Sequence, residues 1–299
     1  MNENKIRRKK VKLALDDKMF YTIVNVTVLL ITLSVVFPIM HVLAASFSSG
    51  VDVMAGRVLI WPVNFSLEGY KLVFTNNMVL VGYYNTIIYT VSGTFISLVL
   101  TAFAAYSISR DNVPYMWVFM FLFVFSMMVS AGMVANFVIF RSYGLLDTRW
   151  VMVLPGAISV TNLIIMRTFF RNLPKELLEA AKIDGCSDFR YFFTILLPLS
   201  KAVIAVMVLF YAEGHWNQFF RAMMFLFSRE LVPLQIVLRE ILIMGTMIEP
   251  DPEAANEIRQ VFELLRYCLI VVASVPIIIV YPFIQRHFVK GVMIGSIKG

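Results

Sequence analysis

Long apolar runs separated by short charged segments organise this chain. Five of them contain no Asp, Glu, Lys or Arg: residues 20–47, 80–109, 115–140, 150–166 and 267–285. A hydrocarbon layer about 30 Å thick takes roughly 20 helical residues to cross. Each run is read as a spanning helix, the fourth at the short end of the range. A sixth stretch, 202–212, lies between Lys201 and Glu213. It reaches spanning length if Lys201 snorkels to the interface and the helix runs on toward Trp216. The pattern predicts an all-α membrane protein with six transmembrane helices. The first run is too long for a cleaved signal peptide and lacks a suitably placed small-residue cleavage site.

Composition agrees. Of 299 residues, 60% are hydrophobic and only 15% charged, and the mean hydropathy is +0.79. Soluble domains are about half apolar and a quarter charged, so an ordinary cytosolic enzyme, a disordered chain and a secreted disulfide scaffold are excluded. The net charge of +7 is a matter of topology. Basic residues flank helix ends on the cytoplasmic side, and segment 1–19 carries Lys5, Arg7, Arg8, Lys9, Lys10, Lys12 and Lys18. With that segment inside and the helices alternating, inner segments hold 17 Lys+Arg against 8 Asp+Glu, and outer segments 9 against 11. Both termini are therefore expected in the cytoplasm of a multi-pass cell-membrane protein, with 48–79 and 217–265 outside. No nucleic-acid partner is implied. Cys186 falls inside and Cys268 near the outer end of the last helix, so the two cannot pair.

Ion-coupled carriers usually place ionisable groups at membrane depth. The five long runs have none that is acidic or basic, and the one titratable group well inside is His41. It reads as a hydrogen-bonded histidine rather than a proton relay. There is no Gly-x4-Gly-Lys-Ser/Thr phosphate loop, no metal-spaced His/Cys cluster and no nucleophile motif. No catalytic residue, metal site or cofactor is expected in this chain, and energy for transport would enter from another polypeptide. Six helices make half of a typical secondary transporter, which implies a second membrane subunit; a channel or carrier acting alone is the alternative. Neutral polar groups do occur at depth: Asn85, Thr86, Thr90, Ser92, Thr94, Ser126, Ser130, Ser159, Thr161 and Asn162. With nearby rings they suit a neutral polar solute, although interhelical packing uses the same residue types. An anionic cargo would call for basic residues, and the long runs offer none.

The segment between the fourth and fifth helices, residues 171–200, is unlike the rest. Pro174 suits the first position of a helix, with Glu176 at its positive end, and Gly185 suits a left-handed stop. Leu177, Ala180, Ala181 and Asp184 then share one side of that helix, with Glu179, Glu176 and Ile183 opposite. Ser187 is placed to cap a second helix with an apolar stripe of Phe189, Phe192, Phe193 and Leu196, and Pro198 marks a bend into the fifth span. This helix–turn–helix knob has the shape of a docking element. The residues alone equally allow a packing loop with no partner.

The pattern Glu-Ala-Ala-x3-Gly-x9-Ile-x-Leu-Pro is complete here as Glu179-Ala180-Ala181, Gly185, Ile195 and Leu197-Pro198. It resembles the EAA loop of type I, binding-protein-dependent ABC importer permeases, the MetI-like fold. Asn162, Met166-Arg167-x-Phe169-Phe170, Leu173-Pro174, Ile183-Asp184-Gly185, Trp216-Asn217 and the tail Phe288-Val289-Lys290-Gly291-x3-Gly295-x2-Lys298-Gly299 are similar to the MalG-like carbohydrate branch. The similarity runs from about residue 70 to the last residue.

That resemblance implies a division into a basic segment (1–19), a first helix (20–47) wrapping a partner permease, an outer loop (48–79), a shared core (80–288) and a cytoplasmic tail (289–299). Glu179, Ala180, Ala181, Asp184, Gly185, Ile195, Leu197 and Pro198 would couple to an ATPase subunit, and Gly291, Gly295, Lys298 and Gly299 would reach between two ATPases. Asn85, Ser130, Asn162, Trp216 and Asn217 are candidates for the substrate pathway. The resemblance implies as partners a second, dissimilar permease, two ABC ATPases that bind ATP and Mg, an extracellular solute-binding protein and an oligosaccharide. Glycerol phosphate or peptide cargo is the alternative. The apolar stretch 231–244, interrupted by Arg239-Glu240, reads as an outer helix at the membrane mouth.

Overall fold

The computed structural model describes residues 15–111, 113–129, 131–247 and 252–295. All regular secondary structure among them is helical. The first half comprises α1 (Leu15–Ser46), α2 (Gly50–Met54), α3 (Glu68–Thr75), α4 (Asn77–Ser109), α5 (Met116–Met128) and α6 (Gly132–Ser142). After these come α7 (Trp150–Val153), α8 (Val160–Arg171), α9 (Glu176–Ile183), α10 (Asp188–Tyr191), a π-helical turn over Phe192–Leu196, and α11 (Leu197–Leu199). The chain ends with α12 (Lys201–Trp216), α13 (Phe220–Phe225), α14 (Leu234–Met247) and α15 (Pro252–Gly295).

The long helix α4 organises the bundle, packing on α8, α12 and α14. Asn76 starts it, its side-chain oxygen accepting the Met78 N–H at 2.9 Å. Glycines on α4 let neighbours approach closely. A Cβ on Gly82 would come within 3.0–3.1 Å of Val237 and Leu234, and one on Gly93 within 2.5–2.6 Å of the His215 ring. Two apolar clusters result. Near the start of α4, Val79 and Tyr89 pack with Val151, Phe225, Leu234 and Leu269. Near its end, Ala102, Ala105 and Ile108 pack with Leu163, Phe170, Phe192 and Met207. Between them along α4 lies a polar layer: Ser97 contacts His215 Nε2 at 3.3 Å, and the Thr101 and Tyr211 hydroxyls meet at 2.5 Å.

Two expected spans are broken. The run 115–140 forms α5 and α6, two helices sharply bent relative to each other, and Gly132 at the start of α6 takes φ +74°. The run 150–166 yields only the short α7 and the 12-residue α8. Pro155 has no N–H to donate to a helix and Gly156 takes φ +71°, so the ladder stops. Ser159 then caps α8, accepting the Asn162 N–H at 3.5 Å. Hydropathy is blind to both breaks because the residues remain apolar. Among the described residues, three helices are long and apolar enough to cross a membrane unaided: Asp16–Ser46, Asn77–Ser109 and Arg259–Pro282. Counting each bent pair as one span raises the number to five, one fewer than the sequence pattern predicts.

Other expectations meet the structure more directly. The fifth span starts at Lys201 and does run on to Trp216, following an 83° bend against the Asp188–Leu199 segment. The last run, 267–285, lies inside a 44-residue helix that continues to Gly295, so the expected tail is helical that far. Helix α14 buries Leu234, Val237 and Ile241 against α4 and α15, while Glu240 meets Arg229 at 2.5 Å and Arg239 lies over the Phe219 ring. His41 Nδ1 is 3.0 Å from the Leu59 carbonyl oxygen, a satisfied histidine as anticipated. Both cysteines are free, and Cys268 is fully buried. α1 is exposed over nearly its whole apolar length, as is the outer face of α5.

Candidate coupling elbow and translocation cleft

The 171–200 segment folds as a helical elbow against the end of α4. Its first helix begins at Glu176, two residues after Pro174, whose carbonyl accepts the Leu177 N–H at 3.3 Å. It ends in a closed cap. The Gly185 N–H donates to the Lys182 carbonyl at 3.0 Å and the Cys186 N–H to the Ala181 carbonyl at 2.9 Å, with Gly185 at φ +72°. This paired-bond stop is the reason a glycine stands there. Ser187 caps α10, accepting the Arg190 N–H at 3.3 Å.

The helix is gripped by one edge. Ala181 is buried and Leu178 partly so, in the cluster with Phe170, Tyr191 and Leu196. Ala180, Leu177, Glu176, Glu179, Ile183 and Asp184 are exposed. The two alanines expected on one face therefore separate: Ala181 anchors the helix and Ala180 is left open beside Glu179. Among the described residues the Glu179 carboxylate has no ion-pair partner. The apolar stripe of the second helix also divides, with Phe192 and Leu196 buried and Phe189 and Phe193 exposed. Phe192 stacks on Phe103 at 4.9 Å between centroids. Ile195 and Leu197 are half-buried, and Pro198 is exposed just before the bend at Ser200.

Charged groups bolt the elbow to the bundle. Asp111 receives Lys175 at 2.6 Å and Arg171 at 3.3 Å, and the Lys175 hydrogen bond and charge hold its carboxyl below the usual range. Arg110 pairs with Asp188, and Arg167 Nε donates to the Ile108 carbonyl at 2.9 Å. Sequence reading missed these anchors. Their only signal is the Arg110-Asp111 dipeptide directly after an apolar run.

A second feature is a cleft of about 740 Å³ at the breaks in the bundle, lined by Asn136, Phe140, Gly156, Asn217, Gln218 and Arg221 among others. Asn217 donates to Glu213 at 3.0 Å. Trp216 beside it donates from its indole to the Ala273 carbonyl at 3.0 Å and sets its ring edge-on to Tyr83.

Residues 79–294 match the model of binding-protein-dependent transport system inner membrane components. The chain belongs to this family. Among its relatives, the polygalacturonan/rhamnogalacturonan transport system permease protein YtcP of Bacillus subtilis (strain 168) is 38% identical, over 95% of this chain and 99% of that one. Protein LplC of the same organism is 40% identical over 88% and 90%. A crystal structure of a bacterial ABC transporter involved in the import of the acidic polysaccharide alginate contains a chain that superposes with TM-score 0.85. That chain is 31% identical, and the match covers 93% of this chain and 99% of that one.

Within this permease the proposed pathway residues do not converge. Asn85 is fully buried and donates to the carbonyls of Glu230 (2.7 Å) and Val232 (3.2 Å), pinning the loop before α14. Thr86 accepts the Leu234 N–H at 2.9 Å and Tyr89 donates to Leu231 at 2.8 Å for the same purpose. Asn162 is buried at the start of α8. Of the five candidates, Asn217 lines the cleft, and Ser130 lies outside the described residues. Gly291 and Gly295 belong to the last turns of α15, and Lys298 and Gly299 lie outside the described residues. Arg221, in the segment expected outside, packs with α13 on α7 and lines the cleft.

Proposed function

We propose that this permease forms half of the membrane pathway of an ATP-driven importer that carries an oligosaccharide into the cell by alternating access. The observation that carries the reading is the elbow. Its α9 is held by one buried edge and presents Ala180 and an unpaired Glu179 outward, while ion pairs fasten its base to α4. An element built this way transmits a push from outside the bilayer into the bundle, provided its partner contacts it differently in two states. The partner is an ABC ATPase, two copies of which bind the ATP and Mg that this chain has no motif to hold. The carbohydrate transport names of relatives such as YtcP, and of the arabinooligosaccharide permease protein AraQ of Bacillus subtilis (strain 168), 25% identical, support a saccharide cargo.

The remaining assignments follow from that reading. Six crossings result if α7 and α8 together make the sixth. Both termini then lie in the cytoplasm, the tail from Gly291 to Gly299 touches the ATPases, and the outer segments face a solute-binding protein. The exposed apolar length of α1 lies against a dissimilar second permease. Deleting the gene for this chain and following uptake of labelled oligosaccharides tests the proposal: loss of uptake of at least one, restored by the wild-type chain, is expected. A purified single chain that moves solute in vesicles without ATPases would overturn it.

A further inference from the structure

Arg221 lines the cleft as a guanidinium paired with no carboxylate among the described residues. It is partly buried, its Nη1 donating to the Met152 carbonyl at 3.4 Å, while its other terminal nitrogen lies 3.2 Å from where a Cβ on Gly156 would sit. The head group thus rests on the helix break that opens the cleft. No ion pair to it exists among the described residues. Glu213, the acidic group beside the cleft, is engaged with Asn217 instead. Its other near neighbour of titratable type, His215, is held between Ser97 and Gln218 and supplies no negative charge. Gln218 leaves its side-chain oxygen without a partner. A cation taken out of water normally finds a counter-charge within the protein. Here the wall is completed by neutral amides (Asn136, Asn217, Gln218) and by Phe140.

We infer that Arg221 is the anchor for the carboxylate of an acidic saccharide passing through this cleft. The guanidinium fork matches a carboxylate in two parallel bonds, the amides match sugar hydroxyls, and the ring offers a face for the apolar side of a pyranose. A neutral sugar would leave the charge unanswered. The inference rests on the reading of the chain as a saccharide importer and narrows its cargo to uronate-containing oligomers.

The test uses the complete transporter in cells lacking the native gene, with trigalacturonate and trimannuronate, their fully methyl-esterified neutral forms, and maltotriose as probes. Wild type is expected to take up at least one of the acids. Arg221→Gln is expected to lower the acid-to-ester uptake ratio at least tenfold at equal membrane abundance, and Arg221→Lys to lower it about threefold. Because the binding protein is the same throughout, the change in ratio reports on the permease. An unchanged ratio in both variants, or an equal fall in acid and ester, overturns the inference. So does a wild type that carries only the esters or maltotriose, which leaves the saccharide reading standing. Failure to carry any of the five, with no other oligosaccharide taken up in the deletion test, removes both.

Discussion

Arg110 and Asp188 form an ion pair that ties the end of α4 to the first turn of α10. The guanidinium also lies 4.9 Å from the Tyr106 ring centroid and 5.8 Å from that of Tyr191, so one side chain joins α4 to α10 by three contacts. Force arriving at the elbow therefore has a direct route into the helix around which the bundle is built. Arg110→Ala removes the pair and both ring contacts while leaving the buried edge of α9 in place. The chain should still assemble with its partners. The sugar transported per ATP hydrolysed in proteoliposomes should fall several-fold, and an unchanged ratio would mean that coupling runs through other contacts.

Glu179 makes a complementary prediction at the outer surface of the same elbow. Its carboxylate is exposed and has no ion-pair partner among the described residues, so reversing its charge breaks no ion pair among them. Glu179→Lys should abolish uptake and weaken association with the ATPase at least tenfold, as a lost charged hydrogen bond at an interface does, while membrane insertion stays normal. Pull-down of the ATPase with the variant, alongside uptake, checks this. Ala181, by contrast, faces inward, and Ala181→Glu should lower the amount of folded protein.

The contact of Gly93 with His215 predicts a packing defect. The ring cannot swing away freely, because Ser97 and the Gln218 amide (2.8 Å) hold both nitrogens. Gly93→Ala is therefore expected to cost about 1–3 kcal/mol, the usual range for overpacking, read as a lower thermal midpoint in detergent. Adding His215→Ala should recover part of that loss, because the two side chains compete for one space. Strict additivity of the two substitutions would show that they act independently.

These cases also mark what the sequence could reveal. The elbow was legible because its stops are local: Gly185 and Cys186 close a cap on carbonyls three and five positions before them, and Ser187 caps the turn that follows. The extension of α12 to Trp216 was legible from the snorkelling Lys201. The breaks at Gly132 and at Pro155-Gly156 were not, since apolar residues continue through both and hydropathy does not register backbone angles. Asn85 looked like a pathway group because its partners lie about 145 residues away at Glu230 and Val232. Arg221 did not stand out because the alternation of spans says nothing of which residues in an outer segment pack against the bundle.

Asp147 predicts a pH dependence on the loop between α6 and α7. Its carboxylate accepts the Ser228 hydroxyl at 2.5 Å and the N–H groups of Ser228 and Phe227, each at 2.8 Å. These bonds favour the charged form and hold the carboxyl below its ordinary value of 3.8. A carboxyl with a depressed folded-state pKa contributes stability that is fully present above its unfolded pKa and is lost as pH falls through the folded one. The permease should therefore keep this contribution at neutral pH and down to about pH 4, losing it only in stronger acid. Asp147→Asn, which turns two acceptor oxygens into one acceptor and a donor, should lower the thermal midpoint at pH 7, with the gap to wild type narrowing as the pH falls below about 4. A gap that does not narrow however far the pH is lowered into the acid range would show that the carboxylate's charge has no part in holding the Phe227–Ser228 turn.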